Sequence, residues 1–320
     1  MKAVPEDFLV EEELSFEPSG DGPHHYLYVE KTGCNTPWVA TRLARHAGVR
    51  AADVGYAGLK DRHARTRQWF SVPLNESHPT DWSNFAAEGV VVQEVTRNRR
   101  KLRRGALRCN RFRVRLTGMD ADMDRVGERL ARIAAVGVPN YFGPQRFGRQ
   151  GGNLDLAKRL FAAGRLRRRD RQFALSAARA LIFNELLARR VEQDNWDGLI
   201  GGDILILDGR GSVFAADPAD ADVGNRVARG ELHPTGPLWG RGEPRPVGEA
   251  GRLESEVSSI WSGFAEGLEA AGTVMGRRSL RLVPRGLRWQ PEDGGRCLLE
   301  FSLPAGEYAT TLVRELVDTD

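Results

Sequence analysis

The order of strand-like and helical periodicity along the chain is the feature that most restricts its fold. Alternating apolar and polar residues predict strands in the N-terminal part and again at 297–304, whereas helical spacing dominates the middle, as in 173–191. Because strands lie at both ends, we predict an α+β protein whose mixed or antiparallel sheet is interrupted by an inserted, mainly helical module. The expected discontinuous core comprises 1–136 and 283–320, and the expected insertion comprises 137–282.

Individual elements follow from the same periodicities and from turn and cap residues. The predicted strands lie at 8–14, 25–31, 54–58, 67–72, 90–95, 111–117, 203–207, 212–215 and 297–304. The predicted helices lie at 36–47, 123–136, 154–163, 173–191, 254–270 and 308–317. The stretch 234–251 is rich in Gly and Pro, which predicts a loop.

Composition excludes several classes of protein. The 320 residues are 41% hydrophobic but contain no apolar run long enough to span a membrane, and the opening MKAVPEDFLVEEE lacks the apolar stretch of a signal peptide. The three cysteines are widely separated, and the six histidines show no metal-ligand spacing. We therefore expect a cytoplasmic protein with reduced thiols and no metal site.

Two arginine-rich runs indicate an anionic partner. The segment 97–115 carries arginines and one lysine with no acidic residue, and 165–171 contains five arginines and a single aspartate. One interpretation is a pair of solvated basic faces. Solvated faces normally mix both signs of charge, however, and unmixed arginine repels itself until an anion such as phosphate binds.

The segment 55–70, GYAGLKDRHARTRQWF, carries the clearest chemical signal. Its single carboxylate, Asp61, lies between Lys60 and Arg62, with further basic residues close behind. Nearby positive charge favours the ionised carboxylate, which is suited to act as a nucleophile and poorly suited to act as a general acid. From composition alone, a loop aspartate in a surface salt-bridge cluster remains an alternative.

Six blocks of this sequence, in the same order along the chain, resemble the TruD family of tRNA pseudouridine synthases. The resemblance is most specific in AGLKDRHARTRQWFSV, which is similar to a family signature in which a lone Asp within G-x-K-D is followed by T-x-Q-W. The other blocks are 2–8 with 16–20, 110–112, 138–148 with 151–154, 175–184 and 303–316.

The resemblance implies isomerisation of uridine to pseudouridine in tRNA, most often at position 13 of the D-arm, without a metal or a cofactor. It implies that the target nucleotide is flipped into a pocket of a pseudouridine-synthase-like domain interrupted by a TRUD domain. By position in the matching motifs, Asp61 is the nucleophile, Lys2 its charge partner, and the substrate contacts are Phe8, Asn110, Phe112 and Tyr308.

For the tRNA backbone, basic residues near the site and in the arginine runs are the expected contacts, and the protein is expected to be a monomer. The residues predicted for this role are Lys60, Arg62, Arg65, Arg67, Arg99, Arg100, Lys101, Arg103, Arg104 and Arg146, with 165–171 as a further candidate.

Two other functions compete with this reading. A non-catalytic RNA-binding protein of the same fold would explain the arginines, but it would not explain why a single carboxylate, Asp61, lies within a basic motif. A metal-dependent nuclease would need clustered carboxylates, and the basic segment around Asp61 contains only one.

Overall fold

The structure is a computed structural model that describes residues 4–75, 77, 79–118, 123–216 and 220–316. The chain forms two compact units. Unit 1 comprises Met1–Glu128 and Pro284–Glu307, and unit 2 comprises Arg129–Val283 and Tyr308–Asp320. The expected boundaries at 136/137 and 282/283 differ little from these limits, but the segment after Glu307 groups with unit 2 and not with the core. The roles assigned to the two domains stay a prediction.

The strands in chain order are β1 (Phe8–Leu14), β2 (His24–Lys31), β3 (Gly55–Tyr56), β4 (Arg65–Pro73), β5 (Val90–Asn98), β6 (Leu107–Leu116), β7 (Val138–Pro139), β8 (Ile204–Leu207), β9 (Val213–Ala215), β10 (Leu232–Leu238), β11 (Gly276–Ser279), β12 (Arg281–Leu282), β13 (Arg285–Glu292) and β14 (Arg296–Pro304). The helices are α1 (Thr36–His46), α2 (Met123–Val136), α3 (Gly152–Ala163), α4 (Arg168–Glu192), α5 (Ala221–Ala228), α6 (Gly248–Ile260), α7 (Ser262–Ala270) and α8 (Ala309–Arg314).

Unit 1 is built on an eight-stranded mixed sheet, which confirms the predicted α+β class. The strand order is β13-β14-β6-β1-β4-β2-β5, with β3 on β4, and β1–β4 is the parallel pair. Helix α1 starts with Pro37 in its first turn, where a missing N–H costs nothing. Its apolar side packs Val39 and Leu43 against Leu27 and Phe70 of the sheet, all of them fully buried.

The two faces of this sheet carry different kinds of side chain, because successive residues of a strand point to opposite faces. On one face, here called the covered face, the pairings Val10↔Phe112 and Glu12↔Asn110 join β1 to β6. The opposite face, here called the charged face, carries arginines and glutamates on neighbouring strands. Its members are Glu11, Glu13, Glu30, Arg65, Arg67, Arg111, Arg113, Arg115 and Glu300.

In unit 2, the long helix α4 is central to the core. Its buried alanines allow close packing, and Ile182, Phe183 and Leu187 fill the interior beside the sheet β11-β10-β8-β9. Helices α3 and α7 approach so closely that a Cβ at Gly267 would lie 2.3 Å from the ring of Phe161. Glycine is therefore required at this crossing.

Most predicted elements are present, but the loop predicted at 234–251 is too long, because only 239–247 lies outside the helices and strands. Strand β10 occupies its start and α6 begins at Gly248. The prolines of β10 misled the prediction, because proline is normally excluded from paired strands. Helix α5 and strands β11 to β13 were also missed, and the predicted helix 254–270 is two helices that meet at Trp261.

Candidate active site

Asp61 lies in a loop between β3 and β4 on the covered side of unit 1, and its side chain is exposed. Its Oδ1 accepts a hydrogen bond from the backbone N–H of His63 at 2.9 Å. Such a bond to the residue two positions ahead forms an Asx turn, which orients the carboxylate without help from a second element.

Polar groups beneath the loop hold its backbone in place. The Lys31 Nζ donates to the Asp61 carbonyl at 3.0 Å and to the Cys34 carbonyl at 2.8 Å. The hydroxyl of Thr36 accepts from the N–H of Lys60 at 3.1 Å and donates to Gln68 Oε1 at 2.9 Å. Because a fixed carboxylate pays little reorganisation on reacting, this anchoring suits a nucleophile.

An ion pair then links the loop to the strands of the pocket. The Nζ of Lys60 lies 2.6 Å from Oε2 of Glu12, and the two side chains are 6% and 0% exposed. The second Glu12 oxygen accepts from the N–H of Trp69 at 3.2 Å. Since Glu12 pairs in register with Asn110, the loop of Asp61 is tied to the strand positions that carry Asn110.

The same ion pair corrects one expectation for Lys60. A side chain that is almost fully buried and already neutralised by a carboxylate is not exposed to an RNA phosphate. The structure gives Lys60 a role inside the site, which argues against the backbone contact predicted for it.

Three phenylalanine rings line up across β1, β6 and β14. Phe8 meets Phe112 edge-to-face with ring centroids 6.0 Å apart, and Phe112 stacks on Phe301 at 5.3 Å. Phe112 is buried, whereas Phe8 is half-buried. The sequence prediction named Phe8 and Phe112 but missed Phe301, which the pairing Phe301↔Phe112 brings to the same face.

The side-chain oxygen of Asn110 is a buried hydrogen-bond acceptor. Asn110 is 9% exposed, and its Oδ1 has no hydrogen-bond partner among the residues that the structure describes. A buried unsatisfied acceptor costs about 1–3 kcal/mol, so it calls for an explanation. A ligand N–H, such as the imide of a uracil, would satisfy this oxygen.

Tyr308 and Arg146 come together within unit 2. The guanidinium of Arg146 donates to the Tyr308 hydroxyl at 3.2 Å and to Ser176 Oγ at 2.8 Å, and it lies 5.0 Å from the ring centre of Phe142. Tyr308 is 38% exposed and Arg146 is half-buried. Arg146 therefore orients the tyrosine as well as offering positive charge.

Two of the predicted phosphate ligands, Arg65 and Arg67, are paired with carboxylates on the charged face. Arg67 contacts Glu30 and Glu11 at 2.8 and 2.5 Å, and Arg65 lies 2.8 Å from Glu30. Burial would raise the pKa of the Glu30 carboxyl, but hydrogen bonds from Arg67 and Arg65 outweigh it and hold that pKa below its usual value. The arginines of β6 are paired as well, in Arg111–Glu13, Arg113–Glu300 and Arg115–Glu292.

These ion pairs contradict the expectation that the arginines of 97–115 lack carboxylate partners within the protein. The segment 97–115 contains no acid, but strands distant in sequence supply carboxylates to its second half. Arg99 is also paired, with Asp21 at 2.8 Å.

Three of the predicted cations in the turn after β5 and in the Asp61 loop contact uncharged groups. Lys101 Nζ donates to the Ala52 carbonyl at 2.8 Å, Arg62 donates to the Gly33 carbonyl at 2.9 Å, and Arg104 stacks 3.7 Å from the ring centre of Tyr56. Arg100 and Arg103 are exposed. Within the described ranges, none of these five cations has a carboxylate partner, so they are the better candidates for phosphate contacts.

Lys2, the predicted charge partner of Asp61, lies outside the described residues. Among those described, no group of three His, Cys, Asp or Glu side chains has the arrangement of a metal site. Likewise, no helix in the described part of the chain is long and apolar enough to cross a membrane.

Sequence reasoning missed Lys31 and Glu12, although each left a signal. Lys31 continues the buried phase Leu27–Val29 of β2, and Glu12 lies between Val10 and Leu14 in the buried phase of β1. A charged residue at a position that the alternation marks as buried indicates a paired or functional group.

Comparison with known proteins gives one consistent family. Residues 1–164 and 161–316 match the family model described as tRNA pseudouridine synthase D (TruD). Proteins named tRNA pseudouridine synthase D from Methylococcus capsulatus and Nitrosococcus oceani are 49% and 48% identical to it, over 100% of this chain and 91% and 90% of theirs. A solved structure of a putative tRNA pseudouridine synthase D from Methanosarcina mazei matches with a TM-score of 0.77 at 21% identity, covering 99% of this chain and 93% of that one, which supports the fold.

Proposed function

The chain belongs to the TruD family of tRNA pseudouridine synthases, and from that premise we propose that it isomerises uridine 13 in the D-arm of tRNA, with Asp61 as the nucleophile. We further propose that it acts as a monomer in the cytoplasm. The role of Asp61 is supported by the buried Lys60–Glu12 pair. This pair connects the Asp61 loop to Glu12, which lies opposite Asn110 in the β1–β6 strand pair.

The reaction breaks the bond between N1 of uracil and C1′ of ribose and forms a bond between C5 and C1′, while the hydrogen on C5 is lost and N1 gains a proton. Uracil must remain bound while it turns, and the nucleotide must first leave the helical stack. An oriented carboxylate with a hydrogen-bonded Oδ1 is suited to the covalent or proton-transfer part of this sequence. Attack on the base, attack on C1′ and a glycal route all remain compatible with this position.

The other residues divide the work of binding. The orphan Oδ1 of Asn110 accepts from the uracil imide, and the side-chain amide offers a donor to a uracil carbonyl. Phe8, at the exposed end of the phenylalanine row, and Tyr308 offer ring faces, and a stacked base is worth about 1–3 kcal/mol. Lys2 is proposed as the charge partner of Asp61 on the family resemblance alone.

Chemical mapping of the product tests this proposal. Unmodified tRNA-Glu transcript is incubated with the protein or with Asp61→Asn, and pseudouridine is located by chemical labelling and primer extension. We expect one stop at position 13 with the unaltered protein and none with the variant, which should still bind tRNA. A stop elsewhere would overturn the assigned position, and product formation by Asp61→Asn would overturn the nucleophile.

The alternative of a non-catalytic RNA-binding protein predicts a different result from the same pair of samples. It requires that neither sample forms pseudouridine while both bind tRNA equally well.

A further inference from the structure

Lys31 is a fully buried lysine that the proposed chemistry does not use. It is the last residue of β2 and its side chain is 0% exposed on the covered face. Moving an ammonium group out of water is costly, and even buried ion pairs can often be replaced by apolar residues with no loss of stability. The preceding buried positions of the same strand, Leu27 and Val29, are apolar. Stability alone therefore favours an apolar residue at this position.

The contacts of Lys31 all concern the neighbourhood of Asp61. Its Nζ donates to two backbone carbonyls, that of Asp61 at 3.0 Å and that of Cys34 at 2.8 Å. It thereby joins the turn after β2 to the Asp61 loop. Cys34, Asp61 and Lys60 are the ionisable neighbours that influence the pKa of Lys31. Asp61 is the carboxylate in that set.

We propose that Lys31 is a positioning residue for pseudouridine formation, which fixes the Asp61 backbone and places a positive charge beneath its carboxylate. The proposal rests on the nucleophile role proposed for Asp61. An ammonium group can donate three hydrogen bonds and so can hold two carbonyls at once. Removing it leaves both carbonyls without this donor, so the Asp61 backbone loses its own anchor, although the Lys60–Glu12 pair and the Thr36 hydrogen bond still hold the neighbouring residue.

The expected kinetic effect follows from how steeply reaction rates depend on position. A misplacement of about 1 Å in a reacting group costs about 100-fold in rate, whereas tRNA binding depends on the distant phosphate contacts. Loss of Lys31 is therefore expected to lower the rate of the chemical step and to leave tRNA affinity nearly unchanged.

The test compares Lys31→Met with Leu43→Ala. Methionine retains most of the length of lysine but donates no hydrogen bond. Leu43 is fully buried in α1 of the same core, and its truncation destabilises unit 1 without removing a hydrogen bond to the Asp61 loop. Single-turnover formation of total pseudouridine is measured at a temperature where both variants are folded, together with the Kd for tRNA and amide hydrogen exchange in peptides covering 58–64.

With Lys31→Met we expect a rate about 100-fold below that of the unaltered protein, a Kd within about twofold, and faster exchange in the loop. Leu43→Ala is expected to keep the rate within about threefold and the loop exchange unchanged. Equal rates for the two variants, or unchanged loop exchange in Lys31→Met, would overturn the proposal. Asp61→Asn is measured alongside. If Asp61→Asn is inactive while Lys31→Met and Leu43→Ala react at equal rates, only the inference on Lys31 is overturned. An active Asp61→Asn would overturn the nucleophile role of Asp61 itself.

A measurement on the unaltered protein keeps the proposal testable if Lys31→Met fails to fold. Burial lowers the pKa of Lys31 to about 8, although the nearby Cys34 and Asp61 oppose this shift and Lys60 adds to it. The ammonium is therefore present below pH 8 and lost above it, so the single-turnover rate should fall roughly fivefold between pH 8 and pH 9. A rate that is level or rising across this interval contradicts the inference.

Discussion

On the covered face of the unit 1 sheet, charged side chains are few and buried, whereas on the charged face they are numerous and range from half-buried to exposed. Lys60 and Glu12 on the covered face are 6% and 0% exposed and are each other's partner. Arg111 and Arg113 on the charged face are 65% and 55% exposed. Exposed pairs typically contribute at most about 1 kcal/mol, while breaking a buried pair costs about 3–5 kcal/mol. The same residue types thus position the site on one face and balance charge on the other.

Adjacent glutamates on β1 give the sharpest test of this contrast. Glu12→Gln leaves the Lys60 ammonium buried without a counter-charge, so we expect the free energy of unfolding to fall by about 3–5 kcal/mol. Glu13→Gln, one residue along the strand, disturbs the exposed pairs with Arg108 and Arg111 and a weak hydrogen bond from the Cys109 thiol, and should cost at most about 1 kcal/mol. Urea denaturation monitored by circular dichroism measures both. Equal losses would remove the distinction between the faces.

Asn110→Leu tests whether a polar residue on the covered face lowers the stability of the protein while it supports catalysis. Leucine removes a buried acceptor that has no partner among the described residues, so stability should stay level or rise by about 1 kcal/mol. Without the amide, uracil loses its partner, and we expect the single-turnover rate to fall about 100-fold. Thermal melts and the pseudouridine assay are run on the same preparation. Loss of both stability and activity would indicate a structural role for Asn110.

The cations without carboxylate partners should bind RNA more strongly than the paired ones. Replacing Arg100 and Arg103 together by Gln should weaken tRNA binding about tenfold and reduce the slope of log K against log salt by about 2. The matched double variant Arg111→Gln with Arg113→Gln removes two arginines that already contact Glu13 and Glu300, and should change the affinity by less than about threefold. Filter binding at several salt concentrations separates the outcomes, and equal slopes would contradict the assignment.

The smallest expected effect is that of a single exposed pair. Arg113 and Glu300 lie 3.4 Å apart on β6 and β14 with more than half of each side chain exposed. Arg113→Gln should therefore change the free energy of unfolding by no more than about 0.5 kcal/mol in buffer. A loss above 2 kcal/mol would show that the charged face acts as a cooperative network.

The sequence predicted the local elements well because periodicity and caps are local signals. Strand β1, helix α1 and helix α2 lie where their patterns placed them. The role of Asp61 as the reactive group follows from the family resemblance of the contiguous motif around it, and it stays a prediction. By contrast, the ion pairs of the arginines in 97–115 are made with Glu13, Glu292 and Glu300. Strand pairing brings these glutamates close, and the local sequence does not reveal them. Lys31 and Glu12 were missed for the same reason, because their partners, the Asp61 carbonyl and the Lys60 ammonium, are distant from them in sequence.

The position of β14 in the sheet has a consequence for the timing of synthesis. Strand β14 pairs with β6 through Phe301↔Phe112 and Leu303↔Asn110, so the row of phenylalanines is complete only when residues beyond 300 have emerged. Until then, β6 has an unpaired edge, which is prone to pair with other chains. A ribosome-bound nascent chain that ends at Val283 would therefore carry the Asp61 loop but lack the strand that completes the row of phenylalanines beside Asn110.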